Sequence, residues 1–228
     1  ARGASVLAIE LDESLRPVLA SVLSAAPSGA DNVQVRYADA LKIDLGAAAA
    51  EALGGAFRAI SNLPYYITSE LIRALIAGRP TPSRIDVLVQ REAAERLAAR
   101  PGDAGWCELA ALVALYGGAQ IGLAVPPSAF TPRPHVDSAL LHIARHAEPP
   151  VAPRDEALLR RVIRAAFAMR RKTMANNLCA SFAMPRPAAL ALLTRVGLPD
   201  KVRGEALSLP ELSALADAMA DDGFSARR

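Results

Sequence analysis

The sequence predicts an α/β fold, in which a parallel sheet flanked by helices is followed by a smaller all-helical domain. Short apolar runs alternate with segments of helical periodicity over the first part of the chain, a pattern typical of a doubly wound sheet. A proline-rich stretch then leads into a part whose apolar residues recur only at helical spacing. The chain has 228 residues, 52% of them hydrophobic, so it is long enough for one large domain and one small one.

Four apolar runs are the predicted parallel strands, at residues 5–10, 33–37, 57–61 and 85–89. Predicted helices follow at residues 15–26, 68–76 and 91–100, and the first and third end at Pro27-Ser28-Gly29 and Pro101-Gly102. A further helix over residues 107–116 precedes a closing hairpin, whose strands lie near residues 121–125 and 139–143 around a loop at 126–134.

Pro149, Pro150 and Pro153 make residues 147–154 a stiff predicted linker. It separates an α/β domain over residues 1–146 from a helical domain over residues 155–228. In the first helix of that domain, apolar side chains from Leu158 to Phe167 fall on one face. Arg160, Arg161 and Arg164 fall on the opposite face, and we expect them to point outward. Two more helices are predicted near residues 186–196 and 209–220.

Composition excludes several classes of protein. No apolar run approaches the roughly 18–20 residues of a membrane span, and no signal sequence opens the chain. Cys107 and Cys179 are too few for a disulfide framework or a metal knuckle, so we expect two reduced thiols in a cytoplasmic protein. The three histidines lack metal-ligand spacing, and no metal is expected.

The basic residues are clustered. Of 26 lysines and arginines, 23 are arginine, and residues 151–190 hold eight basic side chains against two acidic ones. A cluster of this kind favours an anionic partner, because the arginine fork binds two phosphate oxygens. The alternatives are a solvated helix face and an arginine-rich codon bias, which explains the ratio of arginine to lysine.

Asn62-Leu63-Pro64-Tyr65, at the end of the third predicted strand, is suited to hold an amino group on a flat ring. The Asn62 side-chain oxygen and the Leu63 carbonyl are two acceptors for one NH₂ group. Pro64 lacks an N–H group that could satisfy them internally, and Tyr65 offers a ring face for stacking. The alternative is an ordinary Asn-x-Pro turn.

Polar residues follow three successive strands, at Glu10, Asp39 and Asn62. In an open α/β sheet, ligands bind beyond the carboxyl ends of the strands. A carboxylate there suits a ribose diol, and a second carboxylate one strand later can accept from an adenine amino group. Each of these residues alone could equally be a helix cap or a turn residue.

Six segments, in this order along the chain, are similar to the ribosomal RNA adenine dimethyltransferases. They are AIELD (8–12), ADAL (38–41), SNLPYYIT (61–68), VQREAAERLAARPG (89–102), AFTPRPHVDSA (129–139) and RRKTMANNL (170–178). The family comprises the small-subunit KsgA/RsmA-type enzymes and the antibiotic-resistance Erm-type enzymes. The last segment and the helical domain favour the small-subunit branch.

The resemblance implies a Rossmann-like S-adenosylmethionine (SAM)-dependent methyltransferase sheet with a small C-terminal all-α domain. It implies dimethylation of adjacent adenosines near the 3′ end of small-subunit rRNA, with SAM as methyl donor. The partner is then the small ribosomal subunit, and the protein is expected to be a cytoplasmic monomer. The alternatives are a non-catalytic rRNA-binding assembly factor and an Erm-type large-subunit enzyme.

The resemblance also implies roles for particular residues. The target adenine is expected at Asn62, Leu63, Pro64 and Tyr65, with Phe130 as the second stacking ring. Glu10, Asp39 and Asn62 are expected to hold SAM. A hydrophobic plug is the alternative for Phe130.

Members of the family begin with a strand and a Gly-rich loop that approaches SAM. This sequence opens at Ala1-Arg2-Gly3-Ala4, which resembles the turn after the first helix of such proteins. We therefore expect the chain to lack that leading segment.

The expected RNA-binding surface consists of six cations: Arg160, Arg161, Arg164, Arg170, Arg171 and Lys172. Phosphate contacts of this kind position an RNA without reading its sequence. The alternative location for the RNA-binding surface is along Arg91, Arg96 and Arg100.

Overall fold

The computed structural model describes residues 3–26, 30–62 and 64–225. The predicted turn at Ala1-Arg2, the helix stop at Pro27-Ser28-Gly29 and the proposed acceptor at Leu63 lie outside the described residues. The chain divides into two compact units, Ala1–Leu88 and Val89–Arg228.

The first unit has the predicted alternation of strands and helices. Its elements are β1 (Val6–Glu10), α1 (Arg16–Ser24), β2 (Val33–Tyr37), α2 (Leu45–Leu53), β3 (Arg58–Asn62), α3 (Thr68–Ala77) and β4 (Arg84–Gln90), which continues into the second unit. β1 and β2 pair in parallel, and so do β3 and β4. These runs therefore form parallel strands, as the alternation of strands and helices along the chain predicts.

The helix α2 was not predicted, although its signals are present in the sequence. Asp44 accepts a hydrogen bond from the Ala47 amide over 3.0 Å and caps the helix. The alanine-rich run has high helix propensity, and Gly54 ends the helix in the left-handed region at φ 70°. At Gly46, a Cβ atom would lie 2.5 Å from the Pro80 carbonyl oxygen, so this position requires glycine for close packing.

The second unit holds one hairpin and six helices among its described residues. The elements are α4 (Arg91–Leu97), α5 (Glu108–Tyr116), β5 (Gly117–Val125), β6 (Ser138–Arg145), α6 (Glu156–Ala168), α7 (Met174–Phe182), α8 (Arg186–Arg195) and α9 (Leu209–Asp221). β5 and β6 pair antiparallel, as expected for the closing hairpin. Helix α7 was not predicted as a separate element.

Helix α6 is the centre of the helical part. Its apolar side chains from Leu158 to Ala166 are buried, Phe167 is half-buried, and the helix packs against α5, α7 and α9. The Trp106 ring, 3% exposed, meets the Phe167 ring edge-on at 6.1 Å between centroids. The helices therefore share a core with the segment around α5, and the boundaries at 146 and 155 stay a prediction.

Within the described part of the chain, no helix is both long and apolar enough to cross a membrane.

Candidate functional site

The structure brings Glu10 and Asp39 to the same edge of a parallel strand pair. Glu10 is the last residue of β1 and lies opposite Tyr37, the last residue of β2. The Ala38 amide donates to the Glu10 carbonyl over 2.8 Å, which holds the chain after β2 beside the end of β1. Two carboxylates on neighbouring strand ends are therefore available to one ligand.

Each carboxylate is oriented by a nearby backbone amide. The Glu10 Oε1 atom accepts from the Asp12 amide over 2.8 Å. Asp39 Oδ1 accepts from the Leu41 amide over 2.9 Å, and the Lys42 ammonium lies 3.3 Å from Asp39 Oδ2. The hydrogen bond from Leu41, assisted by Lys42, holds the pKa of Asp39 below its ordinary value of 3.8. Asp39 is thus ionised at neutral pH, and oriented carboxylates of this kind fit the hydroxyls and amine of an adenosine group.

Asn62 ends β3 with an exposed side chain. The chain then turns at Pro64, whose carbonyl accepts from the Ile67 amide over 3.1 Å. Tyr65 begins a single 3-10 turn and is half-buried, whereas Tyr66 is 82% exposed. The sequence segment SNLPYYIT contains Tyr66, but only Tyr65 was assigned a role. β3 pairs with β4, and the described residues show no ladder between β3 and β1.

Phe130 lies in the second unit, in the loop that follows β5. Its amide donates to the Pro127 carbonyl over 3.2 Å, and the residue is half-buried. Both the stacking role and the hydrophobic plug are compatible with that exposure, so its role stays a prediction.

An open cavity of about 420 Å³ adjoins the same loop within the second unit, and residues 90–95 and 127–137 supply its walls. Glu92, Glu95 and His135 are among the lining residues. Arg91 forms an ion pair with Glu95 at 2.9 Å. Two segments of the sequence, VQREAAER and PHVD, could have indicated the cavity. They are separated by at least 38 positions in the chain, yet both contribute lining residues.

The three arginines of α6 have different surroundings. Arg164 is exposed, 3.8 Å from Glu108, and Arg160 forms an ion pair with Glu156 at 2.8 Å. Arg161 lies over the Phe182 ring, 4.7 Å from its centroid, and donates to the Ser225 carbonyl over 2.7 Å. The expectation that all three point outward is therefore wrong for Arg161, because its side chain packs against the end of α7.

The Arg170-Arg171-Lys172 run is also divided. Arg170 Nε donates to Glu205 over 2.8 Å, and its Nη2 reaches the Ala104 carbonyl at 3.4 Å. Arg171 and Lys172 are exposed, and their side chains form no ion pair among the described residues. They precede Thr173, which caps α7 by accepting from the Asn176 amide.

Comparison with known proteins finds relatives along nearly the whole chain. The family described as ribosomal RNA adenine dimethylase matches residues 2–209. A relative from Pelotomaculum thermopropionicum, named ribosomal RNA small subunit methyltransferase A, is 40% identical over 98% of this chain and 77% of its own length. The protein of the same name from Geobacillus thermodenitrificans is 37% identical over 96% of this chain and 75% of its own length.

Two solved structures share the fold. A dimethyladenosine transferase from Plasmodium falciparum has a TM-score of 0.78 at 21% identity and covers 96% of this chain and 83% of its own. The 23S rRNA methyltransferase ErmE has a TM-score of 0.64 at 23% identity, with 95% and 82% coverage. At these identities the structures support the Rossmann-like methyltransferase fold with a helical C-terminal part. Taken with the family match over residues 2–209 and the relatives that match nearly the whole of this chain, they place it in the ribosomal RNA adenine dimethylase family.

Proposed function

We propose that the protein uses SAM to dimethylate adjacent adenosines near the 3′ end of small-subunit rRNA. The observation that carries this proposal is the 37–40% identity to small-subunit methyltransferases over 96–98% of the chain. The large-subunit enzyme ErmE is only a distant structural neighbour at 23% identity. We also propose that the protein acts in the cytoplasm, as a monomer, on an assembling small subunit.

The methyl donor would be held at the edge formed by β1 and β2. There the free oxygen of Glu10 accepts from the ribose hydroxyls, and the ionised Asp39 accepts from the adenine amino group. When bound, SAM supplies a methyl group on a sulfonium sulfur, and this sulfur is already a good leaving group. The chain therefore has no need of a nucleophilic side chain, and its task is to position the acceptor amine.

The target adenine would be held by Asn62. The exocyclic nitrogen of the adenine is a poor nucleophile, because its lone pair is delocalised into the ring. In the proposal, Asn62 Oδ1 and the Leu63 carbonyl accept hydrogen bonds from the two N–H groups of the adenine amine. They thereby direct the lone pair of its nitrogen towards the methyl group. Fixed acceptors of this kind stabilise charge that develops in the transition state.

Aromatic side chains would hold the base once it has left its stack. Tyr65, half-buried beside Asn62, is proposed for one face of the adenine and Phe130 for the other. The exposed cations Arg171 and Lys172 would contact phosphates and orient the RNA. Of the six predicted cations, these two are the ones whose side chains are exposed and form no ion pair among the described residues.

A methyl-transfer assay on undermethylated small ribosomal subunits tests the proposal, with undermethylated large-subunit RNA as the control substrate. We expect transfer to the small subunit alone, and equal transfer to the large-subunit RNA would place the protein with the Erm branch. Calorimetry with SAM in parallel tests the non-catalytic alternative. An RNA-binding assembly factor would bind the subunit without binding SAM.

A further inference from the structure

The cavity between residues 90–95 and residues 127–137 is a built feature of the second unit. Its volume of about 420 Å³ falls within the roughly 300–1,000 Å³ that small-ligand pockets span. The Arg91 amide donates to the Asp137 carbonyl over 2.9 Å, so a backbone hydrogen bond fixes one wall to the other.

The charge in this cavity is unfavourable for phosphate. Arg91 is the one arginine or lysine among the lining residues, which also include His135, and its guanidinium is bound to Glu95. The carboxylates of Glu92 and Asp137 form no ion pair among the residues that the structure describes. The excess negative charge repels a phosphate group and favours a hydrogen-bond donor.

The remaining walls suit a flat ring. Pro127 is half-buried and Val136 is 43% exposed, so both offer apolar surface to a ring face. Gln90 adds an amide, which can pair with the N6 and N7 atoms of adenine, and carboxylates accept from base amino groups. Unpaired RNA bases are recognised through such edges.

We propose that this cavity is a flanking-base pocket, which holds the adenine next to the adenosine that is being methylated. The amino group of that adenine donates to Glu92 or Asp137. This inference rests on the proposed function, because Phe130 lies on the loop that supplies one wall. A neighbour that is already dimethylated has no N–H bond to donate, so the pocket favours an unmodified neighbour.

The test compares two RNA hairpins that differ only in the base beside the target adenosine, which is adenine in one and purine, lacking the amino group, in the other. We expect the parent protein to bind the adenine hairpin about tenfold more tightly, the effect of a hydrogen bond to a charged acceptor. The variant Glu92→Ala/Asp137→Ala, which removes both side-chain acceptors, should bind both hairpins within about twofold of each other. Glu148→Ala, at another exposed carboxylate, is the matched control and should discriminate as the parent does.

Equal binding of both hairpins by the parent would overturn the pocket. So would a double variant that weakens both hairpins equally, which would indicate that the two carboxylates contact the RNA without distinguishing that base. Methyl transfer to undermethylated small subunits is measured alongside. Its absence counts against the proposed function, whereas transfer to the subunits without discrimination between the hairpins counts against the pocket alone. Thermal melting confirms that the variants are folded.

Discussion

At the scale of single residues, the candidate site consists of polar side chains at strand ends that retain acceptor atoms for a ligand. Asn62 is exposed at the end of β3, and Asp39 is oriented by the Leu41 amide. Side chains placed in this way contribute little to folding. Their substitution should therefore change chemistry or binding more than stability.

Asn62→Ala should lower the rate of methyl transfer by about 10²–10³-fold, the usual cost of removing one fixed transition-state partner. The affinity for RNA and the melting temperature should stay close to those of the parent, because the side chain is exposed. Single-turnover transfer and RNA titration measure the two quantities. Gln120→Ala, at an exposed amide on β5, is the control, and near-normal turnover by Asn62→Ala would contradict the mechanism.

Asp39 should stay charged throughout the acidic range in which the protein is assayed. Its pKa is lowered in the folded protein, so the contribution of the carboxylate is present above the ordinary value of 3.8 and is lost only as pH falls through the folded value. The difference in SAM affinity between the parent and Asp39→Asn should therefore persist from about pH 8 down to about pH 4, where a carboxyl of ordinary pKa is already losing its charge. Calorimetry across this range checks it. A difference that falls as the pH approaches 4 would show that the pKa is not lowered.

At the scale of elements, α6 and α7 divide the predicted cations into structural and exposed groups. Arg161 is held by Phe182 and the Ser225 carbonyl, and Arg170 by Glu205 and the Ala104 carbonyl. Arg170 is nevertheless exposed, as are Arg164, Arg171 and Lys172. A helical wheel assigns a direction to each residue, but it does not show which neighbouring helix end a long side chain will cover.

Arg161→Ala should lower the free energy of unfolding by about 1–2 kcal/mol, because it removes a cation–π contact and a hydrogen bond. Arg164→Ala is the matched control on the same helix and should stay within about 0.5 kcal/mol of the parent. Urea denaturation measures both. Equal stability of the two variants would contradict the structural role of Arg161.

Arg171→Glu/Lys172→Glu should weaken binding to any RNA and flatten the dependence of log K on log salt. The slope should fall by about 1.5–2, because two phosphate contacts are lost. Arg58→Glu/Lys201→Glu makes the same change of charge at exposed positions elsewhere and should have a smaller effect. If the first variant binds RNA as the parent does, the RNA-binding surface lies along Arg91, Arg96 and Arg100.

At the scale of the whole molecule, the helical part and the segment around α5 belong to one compact unit, Val89–Arg228. Trp106 is buried against Phe167, and α6 packs on α5. The boundary predicted at residues 146–155 rests on the proline-rich stretch and on the change to helical periodicity. The division into two compact units depends instead on which elements pack together.

A fragment over residues 155–228 should therefore be less stable than the unit Val89–Arg228. It would expose the side of α6 that packs on α5, and loss of a buried tryptophan contact alone typically costs about 3–5 kcal/mol. Thermal melting of both fragments by circular dichroism compares them. A short fragment that melts as cooperatively and at the same temperature would support the predicted boundary.

Much of this protein could be predicted from local pattern. The strands β1 to β4, the closing hairpin and helices α6, α8 and α9 follow from apolar periodicity, which depends on neighbouring residues alone. The positions of Glu10, Asp39 and Asn62 after their strands follow from the same pattern. The missed helices α2 and α7 are short, and α2 lacks an amphipathic stripe because alanine fills most of it.

What the sequence determined by itself was the order of elements, the strand-end polar residues and, through its motifs, the family. Only the tertiary structure decided that Arg161 packs on Phe182, that the exposed Arg170 pairs with Glu205, and that residues 90–95 and 127–137 form an open cavity. Local periodicity places a residue on one face of its own element. Which side chain is left exposed depends on contacts between elements far apart in the chain, and those contacts exist only once the helices and strands have packed.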